Sequence, residues 1–88
     1  MRLTDEETAD LITRLRRAEG QLRGIQRMLE EGRECREVAT QFAAVSKAVR
    51  GAGHTYLSRT MSHCLADPDV AESEGYDSTV LERLFTSL

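Results

Sequence analysis

The sequence is poor in the side chains that fill large cores, because it has no tryptophan and only two tyrosines and two phenylalanines in 88 residues. A chain this short buries little apolar surface alone and often oligomerises. It contains no apolar run near the roughly 20 residues of a membrane span, and its first residues lack the apolar segment of a signal peptide. We therefore expect a single cytoplasmic domain over residues 1–88 that assembles with copies of itself.

Cysteine is scarce as well, because the chain has only two, Cys35 and Cys64. Two cysteines are too few for the disulfide framework of a secreted protein, and in the cytoplasm a thiol is more often a ligand or a sensor. His54 and His63 complete no recognisable zinc spacing with them, so we expect both histidines to be structural, with His63 on the surface. No serine, histidine and carboxylate arrangement indicates catalysis, so the sequence does not predict an enzyme.

Lysine is nearly absent, since Lys47 accompanies eleven arginines, and arginine is the cation that binds phosphate through paired hydrogen bonds. The net charge of −3 conceals a segregation of charge. One arginine faces four acids in residues 1–13, ten basic residues face five acids in residues 14–59, and one arginine faces six acids in residues 60–88. Because the local field matters more than total charge, the basic middle favours a nucleic-acid partner.

Helix signals begin with a capping-box pattern at Thr4 and Glu7. Gly32 can end this first helix in the left-handed conformation. Only Gly32-Arg33-Glu34 separates it from the next helix, so the two helices should pack antiparallel. The second helix should end at Ala66, because the residue before a proline avoids the helical region.

The remaining chain predicts a loop and one short helix. Residues 69–77 are acidic and contain a glycine, which is typical of a loop. Thr79 and Glu82 form a second capping-box pattern, followed by an apolar side that would fold onto the long helices or onto a partner subunit. We therefore expect an all-α subunit of three helices, two long and antiparallel and one short at the C-terminus.

Apolar residues in both long helices recur at alternating spacings of four and three, as in a coiled coil. In the first helix they are Leu11, Leu15, Ala18, Leu22, Ile25 and Leu29. In the second helix they are Val38, Phe42, Val45, Val49, Ala52 and Tyr56. Gly51 and Gly53 interrupt the second helix at about 1 kcal/mol each relative to alanine. We expect these glycines to allow another helix to approach closely; the second explanation is that they make the helix pliable at this point.

The two cysteines lie 29 positions apart, near the two ends of the second helix. At about 100° and 1.5 Å per residue, both thiols share one face but lie about 43 Å apart, whereas a disulfide needs Cα atoms within about 7 Å. An antiparallel second copy would place its Cys64 beside Cys35, and a two-fold axis would create two such sites. The helix dipole favours a thiolate at Cys35, helped by Arg33 and Arg36, so Cys35 should attack and Cys64 should resolve.

The arginines of the first helix lie away from its apolar stripe. Arg16, Arg23 and Arg27 fall within about 40° of one another, and Arg14 and Arg17 flank the stripe. A solvated helix face is the usual meaning of such residues. The excess of arginine over lysine, with few acids between Arg14 and Arg27, favours a phosphate-binding face instead.

The run from Arg14 to Leu29, with its Arg-x₅-Gly-x₃-Gly-Ile core and the downstream Cys35, resembles the copper-sensitive operon repressor family (CsoR/RcnR). The resemblance implies three-helix subunits that assemble as a dimer of dimers. It also implies a repressor that binds double-stranded operator DNA until an inducer binds at the dimer interface. We expect Arg14, Arg16, Arg17 and Arg50 to contact that DNA.

The branch of the family is suggested by Thr60, which stands where the copper sensors have a histidine four residues before the second cysteine. Two cysteines without that histidine resemble the persulfide-sensing branch, CstR. This implies a homotetramer without a cofactor, in which reactive sulfur links Cys35 to Cys64 of a neighbour and frees sulfide-detoxification genes. Two alternatives stay open: a Cu(I) sensor that uses the two thiolates alone, and a structural helical oligomer with incidental thiols.

Overall fold

A computed structural model describes residues 2–88, and these residues form helices without strands. In chain order the four helices are α1 (Asp5–Glu30), α2 (Cys35–Ala66), α3 (Pro68–Ser73) and α4 (Ser78–Ser87). The all-α fold and its two long helices are confirmed, whereas the expectation of three helices is wrong by one. Across residues 2–88, no helix combines the length and the apolar character that crossing a membrane requires.

Both ends of α1 are capped as the sequence predicts. The Thr4 hydroxyl accepts from the Glu7 N–H at 3.2 Å, and the Glu7 carboxylate accepts from the Thr4 N–H at 2.8 Å. At the other end Gly32 takes a φ of +65°. This turn lets the Gly32 and Arg33 amides donate to the carbonyls of Leu29 and Met28. The chain therefore reverses within four residues, and α2 runs back along α1.

Every second position of each predicted stripe closes the contact between α1 and α2. Leu11, Ala18 and Ile25 are buried in α1, and Val45 and Ala52 are buried in α2. The alternate members of both stripes remain exposed: Leu15, Leu22, Leu29, Phe42, Val49 and Tyr56. One hairpin therefore uses only half of the apolar surface that its sequence provides.

The predicted loop of residues 69–77 is corrected in its first part, because residues 69–73 are helical and residues 74–77 are not. Asp67 caps α3, with its carboxylate accepting from the Val70 N–H at 3.4 Å, and Pro68 occupies the first turn, where its missing N–H costs nothing. The start of α4 is also corrected. Asp77, rather than Thr79, is the N-cap and accepts from the Val80 N–H at 2.9 Å. Asp67 and Asp77 each place a carboxylate oxygen where a free backbone N–H in the first turn of the following helix can donate to it.

Helix α4 folds back onto α2 of its own chain. Leu81 is buried in this contact, and the rings of His54 and Phe85 lie 6.1 Å apart between centroids. A Cβ built on Gly53 would lie 3.1 Å from Leu88 Cδ1. The close approach expected of the glycine pair is therefore confirmed at Gly53, and the element that approaches is α4.

Polar contacts tie the start of α1 to the end of α2. His63 Nε2 lies 2.8 Å from Glu7 Oε1, and Arg59 Nη1 lies 2.8 Å from Asp10 Oδ2. The hydrogen bond from the Thr4 backbone, then that from His63, lowers the pKa of Glu7 to about 2. Arg59 likewise holds the pKa of Asp10 below its usual value. His63, expected to be a surface residue without a role, instead links the two long helices.

Candidate functional site

The two thiols are carried by one uninterrupted helix. Cys35 is the first residue of α2 and Cys64 lies in its last turn, and neither forms a disulfide. The helix is 32 residues long, so at 1.5 Å per residue its two cysteines stand about 43 Å apart. Within one chain the thiols cannot share a ligand or a bond.

The surroundings of Cys35 are exposed and rich in charge. Arg33, expected to favour a thiolate there, instead hydrogen-bonds Glu37 at 3.2 Å and Glu31 at 3.3 Å. These two contacts, the Glu37 contact first, raise the pKa of Arg33, and Arg33 in turn lowers the pKa of Glu37. Glu34 caps the helix by accepting from the Arg36 N–H at 2.8 Å. The helix N-terminus and Arg36 therefore remain the positive features at Cys35, while the charge of Arg33 is offset by Glu31 and Glu37.

Cys64 has a different environment, because it is half-buried between two cavities. One cavity, of about 410 Å³, has charged residues in its lining, among them Arg2 and Glu74. The other, of about 450 Å³, is almost entirely apolar, and α4 lines it through Leu81 and Phe85. Cys64 therefore borders one cavity with charged residues and one that is apolar.

Thr60 does not face this site as a ligand would. It is 2% exposed, and its hydroxyl donates to the Leu57 carbonyl at 2.9 Å. Over residues 2–88, no three histidine, cysteine or acidic side chains gather into a metal-binding group. A metal held by both thiols would need two subunits.

The exposed apolar residues of α1 and α2 lie on one side of the hairpin. A groove of about 550 Å³ joins Leu15 of α1 to Val49 and Tyr56 of α2, and α4 borders it through Leu84 and Leu88. Contiguous apolar surface of this kind marks an interaction site on a small protein. The groove therefore provides the surface that a second copy would need.

The four arginines expected at DNA are all exposed. At about 100° per residue, Arg14 and Arg17 lie about 60° apart on α1 beside its buried apolar residues, whereas Arg16 lies on the other side of the exposed leucines. Arg14 Nε lies 3.2 Å from Asp10, whereas Arg16, Arg17 and Arg50 form no ion pair within the described part of the chain. Arg50 lies beside Val49, which borders the same groove as Leu15, so the hairpin holds the four residues at one level.

Met61 borders Cys64, and the sequence interpretation did not single it out. It lies one turn before Cys64, and both side chains line the 450 Å³ cavity. The signal was available, because residues three apart on a helix are neighbours and methionine sulfur is a soft metal ligand. The contacts of His63 and Arg59 with α1 could not be predicted from the sequence, since they depend on how the two long helices align.

Comparison with known proteins gives a family and a function class. The model of a family described as metal-sensitive transcriptional repressors matches residues 7–87. The copper-sensing transcriptional repressor RicR of Mycobacterium tuberculosis is 42% identical over 69 residues, which are 78% of this chain and 72% of RicR. The copper-sensing transcriptional repressor CsoR of Bacillus subtilis is 38% identical over 64 residues, 73% of this chain and 63% of that protein.

A solved structure extends this similarity to the fold. The crystal structure of the copper-sensing repressor CsoR with Cu(I) from Geobacillus thermodenitrificans NG80-2 superposes with a TM-score of 0.76. The sequences are 36% identical, and the alignment covers 99% of this chain and 88% of the other. The likeness therefore includes α4 as well as the long hairpin.

Proposed function

The chain belongs to the metal-sensitive transcriptional repressor family, and we propose that it represses transcription in the cytoplasm and responds to Cu(I) through Cys35 and Cys64. One observation carries the inducer site: two free cysteines at opposite ends of an unbroken helix. Thiolates are soft ligands suited to Cu(I). The relatives RicR and CsoR, which are similar in sequence, and the similar crystal structure are all copper-sensing repressors.

The site forms between subunits. An antiparallel partner brings its Cys64 to Cys35, and the two-fold axis repeats the pair, so one dimer holds two sites. The exposed groove that contains Leu15, Val49 and Tyr56 supplies the apolar contact for this dimer. Two dimers then combine into a tetramer.

Operator DNA binds the exposed arginines of the two long helices. Arg14, Arg16, Arg17 and Arg50 are exposed cations on rigid helices, and phosphate contacts of this kind position a protein on a duplex. No element resembles an inserted recognition helix, so the shape of the DNA contributes to specificity. The function needs no catalytic step.

A second candidate inducer, reactive sulfur, is favoured by the buried hydroxyl of Thr60, which leaves two thiols without an imidazole. In this reaction the Cys35 thiolate takes the outer sulfur of an organic persulfide, and a thiol leaves. The partner's Cys64 thiolate then attacks the Cys35 sulfur, forming a disulfide and expelling hydrosulfide. The persulfide is the oxidant, so the electrons balance.

One experiment separates the two inducers. The reduced protein, bound to its operator duplex, is titrated anaerobically with Cu(I) and, in parallel, with a sulfane-sulfur donor, while fluorescence anisotropy reports DNA release. Release by Cu(I) at about one ion per thiol pair supports the copper function. Release by sulfur alone, with an interchain link visible by intact mass and on non-reducing gels, would assign the protein to persulfide sensing instead.

A further inference from the structure

Cys64 shares its apolar cavity with a second sulfur atom. Met61 lies three residues before Cys64 on α2, and both are half-buried. On a helix, side chains three residues apart lie on the same side, one turn from each other. A thiol and a thioether therefore border the same 450 Å³ space.

The walls of this cavity suit a soft, weakly hydrated ion. Leu65, Leu81 and Phe85 make most of its lining apolar. An apolar shell limits water access and tunes the properties of a bound metal. A thioether is neutral, so it adds a donor to two thiolates without adding charge, and it suits Cu(I).

The polar side chains nearest to Cys64 in sequence are occupied elsewhere. The Thr60 hydroxyl donates to the Leu57 carbonyl, and His63 Nε2 contacts Glu7. Neither side chain can approach the thiol without giving up its contact. Met61 has a flexible side chain that meets no such constraint.

We propose that Met61 Sδ is the third Cu(I) ligand, beside Cys64 of the same chain and Cys35 of the partner subunit. This inference rests on the proposed copper function. It gives the site three sulfur donors in place of two thiolates alone. It also makes α4, whose Leu81 and Phe85 line the cavity, a neighbour of the metal.

The test compares Met61→Leu with Met28→Leu, a matched change at another half-buried methionine, which lines a separate cavity beside Arg33. Leucine keeps the apolar volume and removes the sulfur. Cu(I) affinity is measured by competition with bathocuproine disulfonate. Met61→Leu should weaken binding by at least about tenfold, because even an outer-shell partner is worth that much. Met28→Leu should bind like the unaltered protein.

A direct readout comes from selenomethionine-labelled protein loaded with Cu(I). X-ray absorption at the selenium edge should show a copper neighbour that Met28→Leu keeps and Met61→Leu loses. Copper binding without a selenium–copper neighbour, and with unchanged affinity in Met61→Leu, would overturn the Met61 assignment and leave the copper function standing. Failure of the unaltered protein to bind Cu(I) would overturn both.

Discussion

Gly51 and Gly53 are two residues apart in α2, yet only Gly53 has a neighbour that an added Cβ would crowd. A Cβ on Gly51 would meet nothing within 4 Å, whereas a Cβ on Gly53 would lie 3.1 Å from one Leu88 methyl and 3.4 Å from the other. Gly51 therefore carries the entropic cost of a helical glycine without a packing contact. Gly53 carries the same entropic cost, but its missing side chain allows Leu88, at the end of α4, to pack closely against α2.

The pair gives a matched prediction. Gly51→Ala should raise the free energy of unfolding by about 0.5–1 kcal/mol, the cost of a glycine in a helix. Gly53→Ala should gain less than Gly51→Ala, because Leu88 must move to admit the new methyl group. Urea denaturation of both variants at one protein concentration measures the difference. An equal gain in both would show that Leu88 does not pack against Gly53.

At the scale of the elements, charged and polar contacts join α1 and α2 at the open end of the hairpin. Glu7 caps α1 and also contacts His63 of α2, so one carboxylate serves both the end of a helix and the contact between helices. Its pKa is lowered from 4.5 to about 2. Because the pKa of Glu7 is lower in the folded chain, its ionised carboxylate stabilises the fold. This stabilisation is fully present above pH 4.5 and is lost as the pH falls toward 2.

Glu7→Gln should expose this dependence. Glutamine can still accept the capping hydrogen bond, but it carries no charge. The variant should have a lower Tm than the unaltered protein above pH 4.5, and the difference should shrink as the pH falls toward 2. Glu6→Gln, a change at an exposed carboxylate in the same turn, is the control and should show little difference. A Tm difference for Glu7→Gln that stays constant down to the acid limit would contradict the assignment.

The elements also show how far the sequence could lead. Thr4, Gly32 and Pro68 predicted the limits of both long helices, because caps and breakers act locally. The extra helix α3 was missed, since Asp67-Pro68 both ends α2 and starts another helix. The division of each apolar stripe into a buried and an exposed half depends on the angle at which α1 and α2 pack, which local spacing does not fix.

The candidate site divides in the same way. The family and the unbroken helix between Cys35 and Cys64 were predicted and are confirmed. The persulfide branch stays a prediction, and the copper-sensing relatives support the alternative. Met61 lies one turn before Cys64 in the sequence, but the cavity that both residues line depends on where α4 packs.

At the scale of the whole molecule, the charge pattern leads to a prediction about DNA. Arg17→Ala should weaken operator binding and reduce the dependence of log affinity on log salt by about 0.9 for each phosphate that the variant no longer neutralises. Arg14→Ala should act similarly without unfolding the chain, because exposed ion pairs such as Arg14–Asp10 contribute little stability. Anisotropy titrations at several salt concentrations measure both effects. Arg83→Ala, at an exposed arginine of α4, is the control, and equal salt slopes in all three variants would refute this DNA surface.

The shared site leads to the last prediction, which concerns the assembled molecule. A Cys35→Ser chain retains Cys64, and a Cys64→Ser chain retains Cys35. Neither homodimer has a complete thiol pair, because every site then combines one cysteine with one serine. A heterodimer of the two variants has one site with both thiols and one with none. Refolding the two chains together should therefore restore tight binding of one Cu(I) per heterodimer, measured by the same competition assay. Mixtures that bind no better than the separate variants would rule out a site formed between α2 of one subunit and α2 of its partner.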